Sequence, residues 1–90
     1  PLASQAEIPL LRYLYRFPEV VEEATKINSP NLVGNYLFEL SQRFNSFYAA
    51  APILKAEGEM KNLRLALTFA TAQVLKNGLS LLGIETPERL

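Results

Sequence analysis

Residues 30–51 read PNLVGNYLFELSQRFNSFYAAA, and the apolar residues in this stretch recur every three or four positions. Val33, Leu37, Leu40, Phe44, Phe47 and Ala51 fall in one stripe when the residues are placed on a wheel at about 100° per residue. That period predicts a helix from about Pro30 to Ala51 with one face in a core. Ser29 reads as its N-cap and Pro30 as its first helical residue. Phe38 and Asn45 project to nearly the opposite side, with Gly34, Ser41 and Tyr48 between them and the stripe. A large aromatic outside the core stripe needs a second neighbour.

The same period appears three more times. Ser4 with Glu7 three residues on has the form of a capping box, which opens a helix from about Gln5 to Arg16. Ile8, Leu11, Leu14 and Tyr15 are its expected apolar face. Pro9 lies near the end of the first turn and argues for a later start. Phe17-Pro18 ends that helix, and Pro18 with Glu19, Glu22 and Glu23 starts another, its acids near the positive end of the helix dipole. Val20, Val21, Ala24 and Ile27 are its buried candidates. Pro52 limits the helix of the quoted stretch, and Lys55 to Gly58 form a short polar connection. A fourth helix then runs from about Glu59 to Leu82, with Gly83 as a left-handed C-cap. Ile84 to Leu90 read as a tail beyond the bundle.

These elements make an all-α bundle of about four helices. Strict alternation of apolar and polar residues occurs nowhere, so strands are not expected. The fourth helix carries Met60, Leu63, Leu67, Ala70, Val74 and Leu81 on one side and Leu65, Phe69, Ala72 and Leu79 on another. A helix so apolar is either central in its domain or docks on something else. Asn77 falls close to the first of these stripes, so its amide is expected to be hydrogen-bonded and to tie a loop or the tail. Gly78 next to it costs about 1 kcal/mol of helix propensity relative to alanine, which suggests a close helix crossing.

Ninety residues with 49% hydrophobic content suit one small domain with one core. The absence of cysteine and histidine excludes disulfides, thiolate chemistry, imidazole bases and the usual zinc sites. Nine basic residues balance nine acidic ones, so the chain lacks the overall field of a nonspecific nucleic-acid binder. Any RNA contact must come from local geometry. No apolar run approaches the roughly 20 residues of a membrane span, and no signal peptide opens the chain. A cytoplasmic module without membrane association is expected. The start at Pro1, without methionine, reads as a piece of something longer.

Four segments then line up with one family. They are Glu7-Ile8 through Phe17-Pro18-Glu19-Val20-Val21; Tyr36-Leu37-Phe38-Glu39-Leu40 leading into Phe44-Asn45-Ser46-Phe47-Tyr48; Arg64-Leu65-Ala66-Leu67; and Gln73 to Leu79 with Leu81-Leu82-Gly83-Ile84 and Pro87-Glu88-Arg89-Leu90. In order and spacing they closely resemble the C-terminal part of arginyl-tRNA synthetases over essentially the whole chain. The resemblance implies a helical anticodon-binding domain of the DALR type, 1–90 as a single C-terminal domain, attached in the parent to a catalytic domain that charges tRNA with arginine. It implies tRNA and the catalytic domain of the same chain as partners, and a monomer. No HIGH-like or KMSKS-like signature occurs here, so ATP and Mg belong to the parent's catalytic domain and no cofactor is expected in this one.

The resemblance also places Tyr48, Arg89 and Leu90 against an anticodon loop. Two departures stand out: Leu90 replaces the family's usual final methionine, and Ser4-Gln5 stands where a histidine-proline pair is common. RNA loops are read by stacking splayed bases on aromatic or guanidinium planes and by hydrogen bonds to base edges. Tyr48 and Arg89 suit the first task, while Asn45 and Ser41 suit the second. Arg43, Lys55, Lys61 and Lys76 are available to phosphates, although scattered surface charges are ordinarily solubility features. Two other classes compete with RNA binding. A protein-interaction module would use the second faces of the third and fourth helices and leave Phe38, Leu65 and Leu79 exposed. An independent enzyme would have only a pair such as Glu57 and Glu59 for acid–base work, and two glutamates in a loop are normally just solvated.

Overall fold

The structure, a computed structural model, describes residues 6–51 and 57–83. They form four helices, α1 (Glu7–Tyr15), α2 (Phe17–Lys26), α3 (Asn31–Ala50) and α4 (Gly58–Leu81), with no strand among the described residues. Helix α3 packs against each of the other three. Its stripe is the core: Val33, Leu37, Leu40, Phe47 and Ala51 are buried and Phe44 packs half-buried beside them. Leu40, at the centre, is fully enclosed.

Helix α1 turns a different face inward from the one its leucines and isoleucine suggest. Leu10, Tyr13, Leu14 and the carboxylate of Glu7 are buried, whereas Ile8, Leu11 and Tyr15 are exposed. Glu7 occupies a core position because Arg64 of α4 meets it there, Nε donating to Oε2 at 2.9 Å. A charge at the start of the inward stripe disguises that stripe in the sequence. The capping partner Ser4 lies outside the described residues. Pro9 does no harm in α1, because the first four N–H groups of a helix have no partner inside it.

Arg16 closes α1 and opens α2 without an intervening loop, and Pro18 sits in the first turn of α2. Ala24 is buried, Val20 and Val21 are half-buried, and Ile27 is exposed. Helix α2 ends in a Schellman motif. Asn28 adopts φ 54, the Ser29 N–H bonds the Ala24 carbonyl at 2.9 Å and the Asn28 N–H bonds the Thr25 carbonyl at 3.3 Å. Ser29 is therefore engaged in ending α2. Its side chain does not cap α3, and Pro30 holds the N-cap position without a side-chain bond.

Tyr13 and Tyr36 tie α1 to α3 by a paired contact. Their rings stack at 4.6 Å and 10°, Tyr36 Oη donates to the Tyr13 carbonyl at 2.6 Å, and Tyr13 Oη donates to the Tyr36 carbonyl at 3.4 Å. The Tyr13 carbonyl lies in the last turn of α1, where it also accepts the Arg16 N–H at 3.1 Å. Burial pushes the Tyr36 hydroxyl pKa up to about 12, with the neighbouring Tyr13 adding to the effect and Arg16 opposing it. Both hydroxyls stay protonated donors at neutral pH.

Helix α4 crosses α3 at Gly78. A Cβ at that position would lie 2.6 Å from Leu37 Cδ2 and 2.7 Å from Cδ1, so the backbones approach as closely as they do only because no side chain intervenes. The inward stripe of α4 runs through Arg64, Leu67, Thr71 and Gly78. Thr71 satisfies its own hydroxyl on the Leu67 carbonyl at 2.8 Å. Asn77 thus lies off the stripe and is exposed. It accepts a 2.9 Å bond from Gln73 one turn earlier and ties no loop among the described residues. Leu81 is exposed for the same reason. Gly83, at φ +79, takes the left-handed C-terminal position expected of it, its N–H bonding the Ser80 carbonyl at 3.0 Å. No described helix is long and apolar enough to cross a membrane.

Candidate nucleic-acid interface

Phe47, Phe44 and Tyr48 form an aromatic series that runs from the core to the surface of α3. Phe47 is buried, Phe44 is half-buried and Tyr48 is 49% exposed. Phe44 stands 5.8 Å from Phe47 and 6.2 Å from Tyr48, with interplanar angles of 45° and 28°. The one-turn spacing of Phe44 and Tyr48 produces this contact, since side chains at i and i+4 are neighbours on a helix. The Tyr48 ring is thereby supported from below while part of it faces solvent. A ring held in place loses less side-chain entropy on meeting a planar partner.

Ser41, Asn45 and Tyr48 follow at i, i+4 and i+7 and so share one face of α3, as the wheel predicts. Their readiness to bind differs. The Ser41 hydroxyl is half-buried and donates to the Leu37 carbonyl at 3.1 Å, so its proton is already engaged. The Asn45 amide is exposed and makes no side-chain hydrogen bond to another described residue. Two donors and an acceptor are therefore open to a base edge beside a supported tyrosine. Arg89 and Leu90 lie outside the described residues. The wheel position of Phe44 points to the core, and its i+4 relation to Tyr48 is the signal that it also supports the exposed ring.

The second faces divide. Phe38 is 66% exposed and Phe69 is 70% exposed, but Leu65 and Leu79 are half-buried, Leu79 against the core. No group of three His, Cys, Asp or Glu residues capable of holding a metal ion occurs among the described residues.

The model of the DALR anticodon binding domain matches residues 1–90. The chain belongs to that family. The DALR chain is 50% identical over 82 residues to the arginine–tRNA ligase of Thermococcus sibiricus, covering 91% of itself and 13% of that protein. It is 49% identical over 87 residues to the arginine–tRNA ligase of Thermococcus kodakarensis, covering 97% of itself and 14% of that protein. With the arginine–tRNA ligase of Rippkaea orientalis it shares 47% identity over 89 residues, 99% of itself and 15% of the relative. The DALR chain thus spans about one seventh of the length of these curated relatives. No solved structure matches it.

Proposed function

We propose that this DALR domain reads the anticodon loop of an arginine-accepting tRNA, as the C-terminal part of an arginine–tRNA ligase acting in the cytoplasm. In that reading Tyr48 stacks on an unpaired base and Asn45 bonds its edge or that of a neighbour, with Ser41 restricted to accepting. Arg89 and Leu90 supply a second contact from the chain's end. The charging reaction, with its ATP and Mg, belongs to the catalytic domain of the parent, and the domain works as a monomer. The observation that carries the reading is the half-exposed Tyr48 ring stacked on Phe44, because a supported, solvent-facing aromatic is what base stacking requires.

Base–aromatic stacking is worth about 1–3 kcal/mol per base, so Tyr48→Ala should weaken binding of the arginine tRNA by about ten-fold or more. Tyr48→Phe, which keeps the ring, should retain most of the affinity. In the full-length ligase the Ala variant should lower arginylation mainly through KM for tRNA. Unaltered tRNA binding and kinetics in the Ala variant would refute the assignment.

A second reading, contact with protein, is supported by the exposed Phe38 and Phe69 rings. The catalytic domain of the same ligase is the partner this reading favours. Phe38→Glu and Phe69→Glu should then leave binding of an isolated anticodon stem-loop intact and impair the full-length enzyme.

A further inference from the structure

The Tyr13 ring is enclosed by arginines on the side away from Tyr36. Tyr36 stacks on one face of it at 4.6 Å, and the Arg43 guanidinium lies over the ring 4.4 Å from its centre, which leaves it the opposite face. The Arg16 guanidinium is also near, 5.5 Å from the ring centre. A cleft of about 290 Å³ opens here, lined by Pro9, Arg12, Tyr13, Arg16 and Arg43, with no carboxylate in its wall.

Of the three cations gathered here, Arg43 is already balanced by Glu39, which leaves the charges of Arg12 and Arg16 facing a wall without a carboxylate. The ion pairs among the described residues are Arg43 with Glu39 and Arg64 with Glu7, so neither Arg12 nor Arg16 has a carboxylate partner there. Arg43 engages Glu39 through Nε at 3.0 Å. Glu19, Glu22 and Glu23 line a different cavity that borders Arg16, and they disfavour an anion on that side. Tyr13 itself is buried and cannot stack a base, but as a fixed platform it holds guanidinium planes in orientation.

We propose that Arg12, Arg16 and Arg43 around Tyr13 form a phosphate-binding cleft that grips the RNA backbone while Tyr48 meets a base. Resting on the RNA reading above, this assigns to α1 and the α1–α2 junction a contact that reading leaves open. Arg43 and Tyr48 lie on opposite edges of the α3 core stripe, about 140° apart at 100° per residue. Backbone and base would thus be held from two sides of one helix. A neutral chain binds a polyanion in this way through a local cluster, without a general positive field.

The test is the salt dependence of binding between the 90-residue chain and an arginine-tRNA anticodon stem-loop. Each phosphate neutralised contributes about 0.7–0.9 to the slope of log K against log salt. Arg12→Gln with Arg16→Gln should reduce the magnitude of that slope by about 1.5 and weaken binding about ten-fold or more at moderate salt. Arg12→Lys with Arg16→Lys should restore most of the slope. Tyr48→Ala should lower affinity and leave the slope unchanged. The single Gln variants, each lowering the slope by about one contact, serve if the double variant melts early.

Wild-type slope in the well-folded Gln variants, with binding still dependent on Tyr48, overturns the cleft and spares the RNA reading. No binding by the wild type at low salt overturns both. Inorganic pyrophosphate that raises the melting temperature of the wild type but not of the Gln variants, together with an unchanged RNA slope, assigns the cleft to free phosphate and overturns its role on the backbone.

Discussion

Glu7 and Arg64 stand 57 positions apart in the chain and 2.9 Å apart in the fold, with side chains 1% and 16% exposed. This pair joins the first turn of α1 to α4, and the Glu7 carboxylate is closed off from water. Removing one partner of a buried pair costs roughly 3 kcal/mol, because the remaining charge loses the contact that offsets its desolvation. Arg64→Met should therefore lower the melting temperature strongly, while Glu7→Leu combined with Arg64→Met should recover much of the loss. Denaturant melts of the single and double variants check this, and additive losses would contradict the coupling.

Tyr36 makes stability depend on alkaline pH. Its folded pKa is raised above the unfolded value of 10.0 to about 12 by burial first and by Tyr13 second. The folded state thus holds a proton that the unfolded state releases. Stability is fully present below pH 10 and declines as pH rises toward 12, by roughly 1 kcal/mol per pH unit. Tyr36→Phe should flatten the decline over that window. Chemical denaturation at a series of alkaline pH values measures it, and equal slopes in both proteins would dismiss the role of this hydroxyl.

Gly78 faces Leu37 where the helices cross. Alanine there would gain about 1 kcal/mol of helix propensity, but its Cβ would meet both methyls and, at 3.0 Å, the γ carbon of a buried leucine. Overpacking costs about 1–3 kcal/mol and should prevail. Gly78→Ala is expected to be destabilising, and Leu37→Val in the same chain to relieve part of the clash. A melt in which Gly78→Ala is more stable than wild type would show that α3 and α4 can separate at no cost.

Phe44 supports Tyr48 from below. Phe44→Leu should keep the bundle folded at a cost of about 1 kcal/mol while loosening the exposed ring. Stem-loop affinity should then fall several-fold with Tyr48 still present. If affinity is indifferent to Phe44, Tyr48 binds without that support.

How much of the fold the sequence reveals depends on which residues mark the buried face. In α3 every marker is apolar, and the stripe from Val33 to Ala51 is legible in full. In α1 the inward stripe passes through Glu7, and a reading by hydrophobicity turns that helix away from its true face; in α4 Leu63, Leu67, Ala70 and Val74 do face the core, while Arg64 and Thr71 beside them carry no apolar signal. The tyrosines behave likewise. Tyr13 and Tyr36 bury polar groups that are acceptable inside only because each finds the other's carbonyl.

The sequence by itself determined the helical class, the four elements and the family, since periodicity, prolines and short motifs are local properties of the chain. It also set Tyr48 at the edge of the α3 core stripe and Asn45 away from that stripe. Only the tertiary structure decided that Glu7 and Arg64 belong inside, that Asn77 and Leu81 belong outside, and that Arg12, Arg16 and Arg43 surround one tyrosine. A charge is tolerated in a core, or concentrated at a cleft, according to what other segments bring to it, and that partner is set by packing between helices.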